Sequence, residues 1–510
     1  MNILFITADQ WRGECLSALG HGQVKTPNLD RLAGDGVLFA RHYAQTTPCG
    51  PSRASLYTGM YLRNHGVHAN GVPLHGAPTN LALEARRAGY QPTLFGYTDI
   101  AEDPGSPALE NRAHRAAEAV LPGMTPVAPT GNDWSLWFEA LKFRGYAIPE
   151  DPHEMFRPRP DTPGAAGRGQ TWPPARFKAE DSSTAFLIDE TIDYLTEAPA
   201  SPWFVHLSIF SPHPPFVAPE PYHALHDADA MALPVRRATP KAEAAQHPWL
   251  QHYLYNQRGM GFTVGADSRD NLSLSELDLR QIRATYFGMI AEVDAQIGRL
   301  IDFLKASGAY HDTLIVFTSD HGEYLGDHWM FAKYSYHEQT FHVPLIIRDP
   351  GPEARAADGS VIDAFTESID LMPTILERIG RPAPAQCDGF SLGAFCRRQR
   401  PEGWRQEYHA EFDLRSPWSG RKGTPLGLRD DQCRVAVIRG QRYKYVHFEG
   451  LPCLFFDLEA DPDEFHNLID DPAQQHRVAE YAGKAMAWRT AGASHPARQA
   501  GPAGGAPASG

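Results

Sequence analysis

Cysteine is scarce: the 510 residues include only six, at positions 15, 49, 387, 396, 433 and 453. They are too few for a disulfide framework, and none has the spacing of a zinc ribbon or finger. A reducing compartment, the cytoplasm, is therefore expected. No apolar run approaches the ~20 residues that cross a bilayer, and no basic leader precedes the first strand-like segment, so neither export nor a membrane partner is expected. Positive charge is in short supply, with 47 Lys and Arg against 61 Asp and Glu and a formal net charge of −14. That balance argues against nucleic acid, whose backbone calls for a basic surface. Internal repeats are absent as well. An acidic chain that handles an anion must concentrate positive charge locally, in a metal ion or in Lys, Arg and His side chains.

Three segments share one pattern. "NILFITAD" (2–9), "WFVHLSIFSPHPPF" (203–216) and "TLIVFTSDHGEYLGDH" (313–328) are apolar, partly β-branched runs that end in Asp or His. Such runs predict buried parallel strands. In open α/β sheets ligands collect beyond the carboxyl ends of the strands, so three strands ending this way point to one shared site. Helical periodicity over 28–36, 184–197 and 276–307 predicts intervening helices, hence an α/β sandwich. The stretch from about 125 to 180 is rich in Pro and Gly and reads as a long excursion over the site. Beyond residue 396, "CRVAVIRGQRYKYVHFEG" and "CLFFDLEADPDEFHNLI" alternate as hairpin strands do. The expected organisation is a catalytic domain over 1–395, a small antiparallel-sheet subdomain over 396–492 and a disordered Gly/Ala-rich tail over 493–510.

The stretch "TTPCGPSRASLYTGMY" (46–61) sets Cys49 between two prolines, followed by polar residues. Three readings compete: a small buried hydrophobe, a thiolate nucleophile at a helix N-terminus, or a residue that is chemically altered. "CGPSRASLYTG" resembles the sulfatase signature, Cys-x-Pro-Ser-Arg followed by Thr-Gly, in register at Cys49, Pro51, Ser52, Arg53, Ala54, Thr58 and Gly59. The resemblance implies that Cys49 is oxidised to formylglycine by a formylglycine-generating enzyme. A hydrated aldehyde carries two hydroxyls, one to attack sulfur or phosphorus and one to expel the bound oxyanion. A metal would acidify the attacking hydroxyl, and Arg53 is expected to hold it electrostatically.

Asp9 and Gln10 end the first strand, and Asp320 and His321 end a distant one. Hard oxygens with one imidazole suit Ca²⁺ or Mn²⁺ better than a structural zinc. Taken singly, Asp9 could cap a turn and His321 could be a satisfied core histidine. The segments "ADQWR", "TPNLDRL", "GYTD", "PHPPFVAP", "PYHA", "AAQHP", "TSDHGEYLGDH" and "RYKYVHF…LFFDLEADPDEFHNL" run in order through nearly the whole chain. Together they look like the phosphonate monoester hydrolases and their arylsulfatase relatives in the alkaline phosphatase superfamily. That resemblance implies a large mixed sheet flanked by helices with a smaller C-terminal antiparallel sheet. It also implies one divalent metal held by Asp9, Asp320, His321 and residue 49 with Gln10 beside it, and an anion surrounded by Gln10, Asn70, Tyr97, His213 and Lys333. Lys333 and Asn70 suit non-bridging oxygens, His213 suits protonation of the leaving oxygen, and Tyr97 offers a hydroxyl and a flat face.

Two departures qualify the resemblance. Asp99 is unusual, and a carboxylate near the anion disfavours phosphate monoester dianions more than singly charged sulfate or phosphonate esters. The tail lacks the pattern of an assembly arm, so a homo-oligomer is expected as a dimer before a tetramer. Sulfate monoesters are accordingly the first expected substrates, with phosphonate monoesters and phosphate diesters cleaved by the same groups. The alternatives are a chain that is primarily a phosphonate monoester hydrolase or phosphodiesterase, an inactive binding protein of the same fold, and a two-zinc phosphodiesterase drawing on His213, Asp327, His328 and His337.

Overall fold

The computed structural model describes residues 1–74, 79–101, 120–131, 134–197, 202–256, 271–415 and 425–491. Its main sheet has eight strands in the order β10 (Ser360–Ile362), β2 (Val37–Phe39), β9 (Leu345–Arg348), β7 (Thr313–Thr318), β1 (Asn2–Ala8), β6 (Phe204–Ile209), β4 (Pro92–Gly96) and β5 (Thr125–Pro129). Every strand but β9 runs the same way. The three apolar runs read from sequence are β1, β6 and β7, adjacent at the centre and buried along their whole length. Strands covered on both faces have no polar side to show, which is why they read as continuous apolar runs.

Helices cover both faces. The long helix Glu276–Ala306 and the helix Ser183–Thr196 pack on one, and Leu81–Arg87 and Leu371–Arg378 on the other. Ser275 and Asp278 form a capping box that starts the long helix where its periodicity starts. The Pro/Gly-rich stretch after residue 125 is more regular than its composition suggests. It begins with edge strand β5 and carries the helix Ser135–Phe143, whose Trp137 and Leu141 are buried. Among the described residues no helix is long and apolar enough to cross a membrane.

A three-stranded sheet, β11 (Thr366–Glu367), β3 (His42–Tyr43) and β8 (His342–Val343), links the main sheet to a four-stranded antiparallel one. The latter is β12 (Glu407–Asp413), β13 (Arg434–Gly440), β14 (Tyr443–Phe448) and β15 (Leu454–Asp457). The C-terminal helix Gln475–Ala491 packs on β13 and β14, and its Trp488 reaches Tyr61 and Arg63 near the signature segment. The tail lies outside the described residues.

Candidate active site

The register of the central strands builds the site. Thr7 is level with Thr318, and Ala8 with Ile209, so the segments after β1, β6 and β7 leave the sheet at one edge. Asp9 and Gln10 follow β1, Phe210 to His213 follow β6, Asp320 and His321 follow β7, and Tyr97 follows β4. Gly96 makes the β4 exit possible. Its φ is +104°, and a Cβ there would sit 1.9 Å from the Ser208 carbonyl oxygen. Cys49 is the first residue of the buried helix Cys49–Thr58, which ends at Gly59 in the left-handed region.

Asp9, Cys49, Asp320 and His321 are all buried, and one ligand atom from each lies within 4.8 Å of all the others. The sulfur of Cys49 is 3.1 Å from His321 Nε2, 3.0 Å from Lys333 Nζ and 3.9 Å from Asp9 Oδ1. Two carboxylates, an imidazole and the side chain of residue 49, converging in a buried place, fit a hard divalent cation. Arg53, fully buried behind them, donates from Nε to Asp320 Oδ2 at 3.0 Å and from Nη2 to Asp9 Oδ2 at 3.2 Å. Its Nη1 donates to Ser208 Oγ at 2.8 Å and to the Tyr97 carbonyl at 3.2 Å. Arg53 therefore holds both carboxylates in place.

The charges set the proton affinities. Burial and the Asp320 carboxylate raise Asp9. Burial also pushes Asp320 up, but His321, Arg53 and Lys333 overcome it and hold that carboxyl well below the usual range. Burial lowers His321 to about 4, leaving a neutral imidazole able to donate a lone pair. The Cys49 thiol is pushed far up by burial and by Asp9, with Asp320 and Asp99 adding to the effect and Lys333 opposing it. Protein groups alone thus disfavour a thiolate at Cys49, despite its place at a helix N-terminus. Lys333 stays protonated, because Cys49, Asp9 and Asp320 outweigh the cost of burying it.

The remaining expected residues gather at the same edge with differing contacts. Asn70 accepts from the Gly50 N–H at 2.9 Å, which orients its amide beside residue 49. The hydroxyl of Tyr97 donates to Asp9 Oδ2, and its ring lies 4.3 Å from the Arg53 guanidinium carbon. Tyr97 thus supports the carboxylate more directly than it offers a surface. Asp99 is buried with φ of +50°. Half-buried His213 donates from Nδ1 to the Pro214 carbonyl at 2.6 Å and packs on Phe210, and burial and Lys333 push its basicity well down. Gln10 is held beside the four-ligand cluster: its Oε1 accepts at 2.7 Å from Lys333 Nζ, which contacts the Cys49 sulfur, and its Nε2 donates to Glu323.

Sequence reasoning missed Glu323. It is buried, accepts from the Leu325 and Ala332 N–H groups at 2.9 and 2.8 Å, and is raised by burial to about 7. By taking the Gln10 amide nitrogen it turns the Gln10 oxygen towards Lys333. Its one signal was membership of the segment that carries Asp320 and His321. The candidate second metal set does not assemble. Asp327 pairs with Arg12 and Arg283, His328 accompanies Glu243, and His337 meets the Tyr324 hydroxyl. Among the described residues, the one cluster of three or more such ligands is that around Cys49.

The family model described as Sulfatase matches residues 1–380. The chain belongs to the sulfatase family. A second model, N-sulphoglucosamine sulphohydrolase, C-terminal, matches residues 326–489 of the same chain. It is 41% identical over 495 residues to the multifunctional alkaline phosphatase superfamily protein PehA of Trinickia caryophylli, covering 96% of this chain and 95% of that one. It is 27% identical to an arylsulfatase of Clostridium perfringens, over 94% of this chain and 92% of the other. Among solved structures it superposes on the phosphonate monoester hydrolase of Agrobacterium radiobacter with a TM-score of 0.89 and 42% identity, covering 96% of each chain. That of Silicibacter pomeroyi follows at 0.87 and 38%, over 96% of this chain and 95% of the other. The molecule is thus a sulfatase-family hydrolase of the alkaline phosphatase superfamily.

Proposed function

We propose that the protein hydrolyses phosphonate monoesters and phosphate diesters, and sulfate monoesters with the same groups, using one divalent cation and formylglycine at position 49. The observation that carries this is the convergence of Asp9, Asp320, His321 and Lys333 on the side chain of residue 49. Asp9, Asp320, His321 and residue 49 would hold the cation, calcium or manganese. The cation supplies Lewis-acid charge there, and formylglycine supplies one hydroxyl to attack and a second to expel the anion. Conversion of Cys49 falls to a formylglycine-generating enzyme. Arg53 and Tyr97 keep the two carboxylates in place, and Lys333 and the Asn70 amide bind non-bridging oxygens as charge develops on them. His213 has low basicity because burial and Lys333 outweigh the Pro214 carbonyl and Asp320. A bound anion lifts it towards the range where it can protonate the leaving oxygen.

Phosphonate esters stand first because the two solved hydrolases of that name match over almost the whole chain. Sequence reasoning placed sulfate first on the strength of Asp99, and that order is revised. Asp99 keeps a role in either case: its charge is felt at residue 49, so it opposes a second negative charge on the substrate.

The test combines a peptide mass across residue 49 with turnover of an aryl phosphonate monoester, an aryl phosphate diester, an aryl sulfate and an aryl phosphate monoester. Aldehyde mass is expected, with the phosphonate ester turned over fastest and the phosphate monoester slowest. Asp99→Asn should narrow the gap between the last and the others. An active protein with intact Cys49 would sink the mechanism, and an unchanged gap in Asp99→Asn would remove that residue from the selection of substrate.

A further inference from the structure

A second thiol cluster stands on the four-stranded sheet, far from the catalytic edge in sequence and independent of the reaction there. Tyr445 and His447 share one face of β14, and half-buried Cys453 leads into β15 beside them. Cys453 Sγ is 3.6 Å from His447 Nδ1, and the Tyr445 hydroxyl is 3.4 Å from the same nitrogen. On the other side of the ring, Nε2 lies 3.8 Å from Glu449 Oε2, and Glu449 is itself held by Arg489 of the C-terminal helix. Thiol, imidazole and carboxylate thus stand in series. This arrangement passes a thiol proton to the ring and leaves the sulfur negative.

The proton affinities move the same way. Burial raises the Cys453 thiol, but His447, the Tyr445 hydroxyl and the Phe448 N–H more than offset this and hold it below its ordinary value. Cys453 in turn lifts His447. The other cysteines lie in the opposite kind of setting: burial pushes Cys387 and Cys396 up to about 12 and Cys433 up to about 11. Tyr445, His447 and Glu449 line a cleft of about 900 Å³ between the sheet, the C-terminal helix and the segment around Leu62 and Arg63, within the range of small-molecule sites. Half-buried Cys453 is not itself part of that lining and adjoins it through its contact with His447.

We propose that Cys453 is a thiol-modification site that takes low-molecular-weight disulfides. Cys453 gives its proton to His447, and the thiolate attacks one sulfur of the disulfide. A new sulfur–sulfur bond joins that half to Cys453, and the other half leaves as a thiolate that recovers the proton. The disulfide is the only co-reactant, and it alone supplies the oxidising equivalents.

The experiment exposes the full-length folded protein to oxidised glutathione near neutral pH and follows adducts by peptide mapping. Cys453 is expected to react at least ~10-fold faster than Cys387, which is also half-buried but lacks a base. His447→Gln should slow the Cys453 adduct ~10-fold and make its rate climb with pH where the wild type is flat, as for an unassisted thiol. Glu449→Gln should slow it less. Equal rates at Cys453 and Cys387 in the wild type would overturn the proposal, a measurement that needs no variant to fold. So would an unchanged Cys453 rate and pH profile in His447→Gln.

Discussion

Two cysteines sit beside a histidine in this molecule, and their surroundings move the thiols in opposite directions. Cys49 is buried at the start of a helix with Asp9 and Asp320 around it, so the sulfur is kept protonated although Lys333 is 3.0 Å away. Cys453 has His447, a hydroxyl and a backbone N–H around it and is held towards the thiolate. A histidine neighbour therefore does not by itself make a nucleophilic sulfur; depth of burial, hydrogen bonds to the sulfur and the charges around it decide together. The Cys49 shell is short of positive charge for a thiolate and suited to a cation with oxygen ligands. The Cys453 shell is complete without one.

The strongest way to break this contrast is to exchange the two residues' importance. Cys49→Ala should cost at least ~10⁴-fold in kcat, as loss of a nucleophile does, while Cys453→Ser should leave turnover unchanged. Comparable losses from both would erase the distinction. Next in size is Lys333→Ala, expected to lower kcat by ~10²-fold with KM less affected, since a cation facing developing charge acts mainly in the transition state. Lys333→Arg should not restore it, because a planar fork does not occupy the place of a compact ammonium. Glu323→Gln should cost ~10-fold in kcat through misdirection of Gln10. Adding Gln10→Ala to it should cost less than the sum of the single losses, whereas full additivity would show that the two do not act in series.

The smallest effect concerns stability beneath the Cys49 helix. His206 donates from Nδ1 to the Phe5 carbonyl and accepts at Nε2 from the Tyr57 hydroxyl, so it is built in as the neutral form and burial lowers it to about 3. The unfolded chain takes up that proton near pH 6.5 and the folded one does not until about pH 3. Stability is thus present above 6.5 and lost as pH falls, by about 1 kcal/mol at pH 5.5 from this residue. Urea midpoints at pH 7.5 and 5.5 check it: His206→Gln should show a smaller drop than the wild type.

Much of the catalytic edge was legible because each contributing strand is apolar up to the residue that turns polar. β1 leads to Asp9, β7 leads to Asp320 and His321, and the start of the long helix is written in Ser275 and Asp278. What escaped depended on contacts between distant parts of the chain. Glu323 matters only because the amide of Gln10, 313 residues away in sequence, turns towards it. Arg53 is expected from the sequence to hold the attacking hydroxyl of residue 49; its grip on the Asp9 and Asp320 carboxylates is visible only in the fold. The helix Ser135–Phe143 hid among Pro and Gly because nine residues offer little periodicity, and its order comes from Trp137 and Leu141 packing beneath.

The central position of β1 also governs the order of events during synthesis. Cys49 lies near the start of the chain, but the strand that closes its pocket, β7, and the residue that covers its sulfur, Lys333, are made almost three hundred residues later. Once they dock, Cys49 is only 6% exposed, which on the proposed conversion would leave a modifying enzyme little of that turn to grip. If Cys49 is converted as proposed, the modifying enzyme would have to meet the segment while the chain is still growing or open. The folded protein would then record, in the chemistry of one side chain, whether that meeting took place in time.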